Sequence, residues 1–224
     1  MRITRRNVLP IAGGVLLIGS GVVALHAMDR WAAAEVDRWR PTLESSLAGP
    51  IGHPIRIGEY QGLRPWGLAF GSSRISASKL DRSQIRLAGF TVALDPLASL
   101  RRWKPVIALR LRGLEAQLQR NDAGRYWIFG GSKSNDPPPN IELRYSFDEP
   151  ARFTLQSGGE QLALQSRGAI RLDDSSFQTS SSLSWLGQAG TLRLDGSGRW
   201  DRPQFNLRSR AKSIQLNRLA AVLP

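Results

Sequence analysis

The chain contains no cysteine among its 224 residues, which excludes disulfides, thiolate nucleophiles and cysteine-bound zinc. It has two histidines, His26 and His53. Neither lies in a carboxylate pattern with metal-ligand spacing, so both read as structural or solvated side chains. Also missing are the G-x-S-x-G nucleophile turn, the phosphate-cradling G-x-x-x-x-G-K-[ST] loop and a G-x-G-x-x-G after a strand. Gly196-Ser197-Gly198 is too short to stand in for any of these and reads as a turn. Asp173-Asp174 could suggest an acid/base pair, but neighbouring strand residues point to opposite faces, so this too reads as a turn. Neither catalysis nor a metal or cofactor is expected.

Helical periodicity is nearly absent between Gly49 and Asn217, and a period of two replaces it. Leu109 and Leu111 alternate with Arg110 and Arg112. Leu114, Ala116 and Leu118 alternate with Glu115, Gln117 and Gln119. Ile141, Leu143, Tyr145 and Phe147 share one side against Glu142, Arg144 and Ser146. Leu162, Leu164, Ile170 and Leu172 oppose Gln161, Arg167 and Arg171, and Leu192 and Leu194 flank Arg193. Phe205 and Leu207 alternate with Asn206 and Arg208. These patterns predict strands with one apolar and one polar face. Ser157-Gly158-Gly159 and Gly187 to Gly190 mark turns, and Gly130 to Asn140 is the one stretch that reads as a linker.

The N-terminus differs. Arg2, Arg5 and Arg6 precede 22 residues without a charge, which as a helix would span roughly 33 Å. Val8, Ile11, Val15, Leu16, Leu17, Ile18, Val22, Val23 and Leu25 supply its apolar surface. A weak cleavage pattern favours a retained signal anchor over 1–28, with the N-terminus cytoplasmic and the bulk of the chain periplasmic. An amphipathic helix is expected over 29–49, kinked or restarted at Pro41 and ended by Gly49-Pro50. Trp31 and Trp39 fit either a membrane interface or packing against the first strands.

The net charge of +13 is uneven. Residues 1–135 hold 20 Lys/Arg against 9 Asp/Glu, a balance that suits nucleic acid or an anionic membrane surface. Arg101-Arg102-Trp103-Lys104 combines cations with an aromatic, as single-strand binders do. In an exported segment phospholipid headgroups are the better match, with Arg38, Arg40, Arg101 and Arg102 as contacts and no nucleic-acid partner.

The order of these features resembles the N-terminal end of TamB/AsmA-like envelope proteins (the translocation and assembly module), in their cyanobacterial and plastid branch. The resemblance rests on the basic tip and apolar run, then "LESSLAGPIGHPIRIGEYQG" and "GLAFGSSRIS". It continues through "FTVALDPLASLRRWKPVIALRLRGLEAQLQRNDAGRYWI" and "GTLRLDGSGRWDRPQFNLRSRAKSIQLNRLAAVLP". It covers nearly the whole chain through loose patterns. Family members usually continue for many more repeats than the 224 residues here, which suggests a fragment or a short relative.

The expected fold is mainly β: an N-terminal transmembrane helix and a short amphipathic helix, then an elongated, curled antiparallel sheet forming an open groove. Two groove segments are expected, 50–135 and 136–224. The resemblance implies an inner-membrane protein that carries lipid between inner and outer membranes or supports outer-membrane protein assembly. Its partners would be phospholipid or glycolipid acyl chains and an outer-membrane β-barrel assembly protein. Leu109, Leu111, Leu118, Leu143, Tyr145, Phe147, Leu162, Leu164, Ile170, Leu172, Leu192 and Leu194 would line the groove. Exposing roughly 15 methylenes to water costs about 12 kcal/mol, at about 0.8 kcal/mol each; an apolar trough removes that cost. An exported β-domain with a closed core is the competing architecture.

Overall fold

The computed structural model describes the backbone of residues 8–26 and all atoms of 27–130, 140–173, 175–186, 190–199 and 204–213. Helix α1 (Val8–Ile51) comes first. The strands before the second helix are β1 (Ile55–Arg56), β2 (Tyr60–Arg64), β3 (Gly67–Phe70), β4 (Ser73–Ile75), β5 (Gln84–Leu87) and β6 (Gly89–Leu94). Helix α2 (Pro96–Arg102) follows, then β7 (Val106–Arg112), β8 (Glu115–Gln119), β9 (Glu142–Phe147) and β10 (Ala151–Ser157). The chain continues through β11 (Glu160–Leu172), β12 (Ser176–Trp185), β13 (Thr191–Arg199) and β14 (Gln204–Lys212).

Ten of these strands are halves of longer ones. β1 and β2, β3 and β4, β5 and β6, β7 and β8, and β9 and β10 lie end to end, one to three residues apart. Nine passes of the chain therefore lie side by side in sequence order, with β11 to β14 as the uninterrupted last four. Neighbouring passes are antiparallel except the fourth and fifth, where β7 pairs β9 and β8 pairs β10 in parallel. The sheet is thus mixed, which corrects the expected all-antiparallel arrangement. A parallel step needs a long crossover, and residues 120–141 supply it; 131–139, most of the expected linker, lie outside the described residues. The same two parallel pairings join the stretches 50–135 and 136–224 in one sheet.

The breaks between half-strands line up as a crease across the first five passes. Backbone bonds bridge it: Gly71 N–H to Glu59 O (2.8 Å), Ala88 N–H to Arg112 O (3.0 Å) and Asp148 N–H to Leu111 O (3.0 Å). Each break works as a bulge, which bends a strand and can reset its alternation. Phe90 and Val92 share a face with Ile85 and Leu87 only because Ala88 adds an odd residue between them. Leu109 and Leu111 keep their face with Ala116 and Leu118 through the break at Gly113-Leu114. Gly113 has φ 58, and a Cβ there would sit 2.7 Å from that of Ala88; the crease closes because that atom is missing.

Helix α1 is unbroken at Pro41 and runs through Pro50, contrary to the expected kink and stop. Pro41 removes one backbone bond, to the Asp37 carbonyl. Side-chain ties from Arg40 to Asp37 and from Trp39 to Glu35 hold the turn around it. The helix ends at Gly52, whose φ of 78 lets its N–H return to Ala48 O at 2.9 Å. Among the described residues no helix is long and apolar enough to cross a membrane. This corrects the expected transmembrane signal anchor and the single-pass inner-membrane placement that depended on it. From Ala27 to Ile51 the helix carries seven charged residues and packs along β1 and β2. The side chains on which the expectation rested, Val8, Ile11, Val15, Leu16, Leu17, Ile18, Val22, Val23 and Leu25, lie outside those described.

Local turn chemistry follows the sequence at Gly158-Gly159, with φ 57 and 92. This two-residue connection joins β10 to β11 in the left-handed geometry a tight hairpin requires. The expected turn at Gly196-Ser197-Gly198 is instead the middle of β13. A Cβ on Gly198 would lie 2.5 Å from Phe177 and 2.6 Å from Phe205. The glycine leaves room for those two rings, whose centroids are 6.0 Å apart.

Candidate functional site: the two faces of the sheet

Pairing places residues of one row on the same face, and one row crosses every pass: Leu63, Leu68, Val92, Leu109, Tyr145, Ile170, Thr179, Gly196, Leu207. Parallel to it run Phe70, Phe90, Leu111 and Phe147, with Phe70 stacked on Phe90 at 4.7 Å. On its other side lie Leu94, Ile107, Leu143, Leu172 and Phe177. Beyond the crease the same face carries Ile75, Ile85, Ala116, Phe153, Leu164 and Trp185 in one row. Leu118, Leu155 and Leu162 form the next row. Leu192 and Leu194 reach the same face through Leu183 and Ser181. The register thus brings all twelve sequence-chosen apolar residues to one face.

That face has little cover. α1 lies over its edge at β2, β3 and β6, where Trp31, Val36, Trp39, Leu63, Phe70 and Val92 enclose a cavity of about 390 Å³. Trp31 and Trp39 remain 70% and 53% exposed. A local cluster of Leu162 and Trp185, with Leu155, Leu164 and Leu192 against it, is the main dry patch. Few large apolar side chains are fully buried; alanines make up most of the buried apolar set. The accessible surface is 16244 Å², against roughly 10,100 Å² for a compact monomer of this mass. A second sheet over the apolar face is absent among the described residues.

The reverse face is arginine-rich. Arg56, Arg74, Arg86, Glu115 and Arg152 form a row on one side of the crease. On the other side a basin of about 770 Å³ is lined by residues including Arg110, Arg144, Arg171 and Arg208. At its rim Glu142 is fully buried. Its Oε1 accepts from Arg144 Nε (2.8 Å) and Arg171 Nε (2.6 Å), and its Oε2 from Arg102 Nη1 (2.7 Å). The alternation in 141–147 placed Glu142 on the polar side. Arg144 is its i+2 neighbour on the same side of β9, while Arg102 and Arg171 come from α2 and β11, separations that no local spacing reveals.

Helix α2 is built by local signals. The Asp95 carboxylate caps it by accepting from Ala98 N–H at 2.9 Å, Pro96 opens it, and Trp103 closes it at φ 53. Leu97, Leu100 and Trp103 are 81%, 67% and 88% exposed. The turn residue Trp66 is 71% exposed and adjoins them, its carbonyl accepting from Leu94 N–H at 2.8 Å. Of the sequence-chosen headgroup contacts here, Arg101 is exposed, while Arg102 is committed to Glu142. Arg38 and Arg40 are paired along α1 with Glu35 and Asp37.

A polar knot joins the end of α1 to the crossover. His53 and Asp81 are both buried, with Nε2 3.3 Å from Oδ2 in poor hydrogen-bond geometry. His53 Nδ1 lies 3.1 Å from Ser76 O, and Trp127 packs on the imidazole at 4.1 Å. Asp81 accepts from the N–H groups of Ser83 and Ile128, each at 2.8 Å. Burial would raise this carboxyl, but the hydrogen bonds from Ser83 and Ile128 and the nearby His53 hold it below the ordinary value. The knot lines neither the cavity under α1 nor the basin, and no group that could hold a metal occurs among the described residues. From the sequence His53 reads as structural or solvated, with no sign of Asp81 as its neighbour. Comparison with protein-family models, curated proteins and solved structures finds no match to this chain.

Proposed function

We propose that the protein shields lipid acyl chains along the apolar face of its creased sheet, as a carrier or a section of a lipid path. The observation that supports this is the row from Leu63 to Leu207, apolar over most of its nine passes and, beyond the edge that α1 overlies, without a covering layer among the described residues. Burying acyl methylenes there offsets about 0.8 kcal/mol each. The polar reverse keeps the sheet wetted. A closed-core β-domain would need a second layer on this face. The resemblance to TamB/AsmA-like proteins also implies outer-membrane protein assembly, but the uncovered face supports lipid handling more directly. No catalytic step is part of the reading.

Ile170 and Ala169 are neighbours in β11 on opposite faces, so they provide an internal control. A photo-crosslinking residue at 170 should capture co-purified or added phospholipid, and the same residue at 169 should not. Equal capture at both positions, or none at 170, would remove the acyl path. The reading places lipid contact outside the groove at α2, where Leu97, Leu100, Trp103 and Trp66 stand beside the exposed cations Arg64 and Arg101. Apolar and aromatic side chains flanked by cations suit an anionic bilayer surface. The double change Leu97→Ser and Trp103→Ser should weaken binding to anionic vesicles at least about tenfold, while Arg101→Glu should weaken it mainly at low salt. Vesicle binding unchanged in both variants would move the contact elsewhere.

A further inference from the structure

The basin on the polar face has properties that acyl shielding does not require. Its floor is made of short side chains, Ala108, Ser146, Ala169 and Ser180, and cations stand at its walls. The guanidiniums of Arg144 and Arg171 are held from behind, each through Nε, by one fully buried carboxylate. This side-on grip fixes both guanidiniums, and the one carboxylate offsets only part of the charge of its three arginines. Nη2 of Arg171 is buried and has no hydrogen-bond partner, although unpartnered buried donors are costly. The acids present are already engaged. Asp95 binds Arg144 at 3.0 Å, and Asp195 accepts from Ser180 at 2.6 Å and from Arg193 at 3.2 Å. Three arginines share Glu142 and Asp95, and Arg110 has no carboxylate partner among the described residues. Among the described residues the local charge is therefore positive and not fully balanced.

We propose that this basin is an oxyanion-binding site for a phosphate group, with Arg171, Arg144 and Arg110 as its donors and Glu142 as the positioning residue. Arginine forks match phosphate oxygens in both geometry and charge. The hydroxyls and amides of Ser146, Ser180, Ser197, Gln178 and Asn206 around the basin suit a phosphate carried on a hydroxyl-rich group. Such a group could belong to a lipid headgroup or to a free phosphoester. The site is independent of the acyl reading, because it occupies the other face.

Calorimetric titration of the whole chain with inorganic pyrophosphate, at low and moderate salt, tests the site. Saturable binding is expected, weakening as salt rises. Arg110→Gln removes a wall cation that makes no internal ion pair, so it should fold normally and bind about tenfold more weakly. Arg171→Lys keeps a charge near Glu142 but loses the fork, and should also weaken binding. Thermal melting checks that both variants are folded. No saturable binding by the native chain, or native affinity in both folded variants, would overturn the proposal. Glycerol phosphate and a short-chain phosphatidic acid then separate the sources. Tighter binding of the phosphatidic acid that Arg110→Gln removes assigns a lipid headgroup, and equal affinities, or a gain that Arg110→Gln leaves intact, assign a soluble phosphoester. Crosslinking at Ile170 does not depend on either result, so the two readings can fail separately.

Discussion

Asp81 shows how much a single buried carboxylate can hold together. Its two oxygens take backbone N–H groups from Ser83 and Ile128, and His53 lies against one of them. Asparagine at this position supplies one acceptor where two are needed and turns an NH₂ towards a donor. Asp81→Asn should therefore lose about 2–4 kcal/mol in urea unfolding, the cost of an unsatisfied buried donor plus a lost charge-assisted bond. The pH dependence has a definite sign. The carboxyl is held below its ordinary 3.8 in the folded chain, so the folded state binds its proton less readily than the unfolded state. The resulting stability is present above about pH 3.8 and is lost as pH falls through the lower folded value. The asparagine variant should show a flatter acid limb in melts taken across that range. An unchanged limb would assign the acid sensitivity to other carboxylates.

At the scale of elements, the attachment of α1 depends on Asp29. Its Oδ1 accepts the Tyr60 hydroxyl at 2.6 Å and Leu63 N–H at 2.9 Å. Burial first, then the bond to Asp29, raises the Tyr60 phenol from 10.0 to about 12. The neutral phenol is the stabilised form, so its contribution is complete below pH 10 and disappears as pH rises towards 12. Burial raises the Tyr145 phenol as well, so ultraviolet titration of Tyr60→Phe should lose one late phenol and keep that of Tyr145. A second prediction compares two sites on the apolar face. Ile170→Asp, at a position 36% exposed, can stay hydrated and should cost less than about 1.5 kcal/mol. Leu162→Asp, at 5% exposed within the Trp185 cluster, should cost about 3–5 kcal/mol. Similar large losses at both positions would mean that the face is covered. Much of this level was legible in the chain, because alternation and the Gly158-Gly159 hairpin are local signals. Helix α2 was not expected, although the Asp95-Pro96 start that builds it is also local. The change of apolar parity across Gly113 was also visible as two alternating runs out of phase. What could not be read were features set by distant partners: Glu142 under Arg102 and Arg171, Asp81 against His53, and Gly198 in β13, which makes room for rings from β12 and β14. The helix through Pro41 was misread because a local rule was applied where side-chain ties hold the turn.

For the whole molecule, the large accessible area and sparse core describe a sheet stabilised chiefly by its ladders and by one helix laid along an edge. Small-angle scattering should give a radius of gyration well above the roughly 17 Å of a compact chain of this length. A value near 17 Å would mean that the sheet folds onto itself in solution. Among the described residues β14 is the opposite edge, exposed along its length, with Arg208, Arg210 and Lys212 in it. Cations on an open edge discourage pairing with a second chain.

The parallel junction between the fourth and fifth passes has a consequence for how the chain reaches this state. Before it, strands 55–119 form a meander of near neighbours; after it, strands 142–212 form another. Each can assemble from short loops, whereas β7 with β9 and β8 with β10 meet only after residues 120–141 have looped back. Contacts between distant residues are kinetically late, so the junction should be the rate-limiting zipper that joins two preformed halves. Pulsed hydrogen exchange during refolding would then protect Glu142 N–H, bonded to Pro105 O at 2.9 Å, and Arg152 N–H, bonded to Leu114 O at 2.8 Å, after the hairpin amides within each half. Protection of these two amides in the earliest phase would place the nucleus at the junction itself.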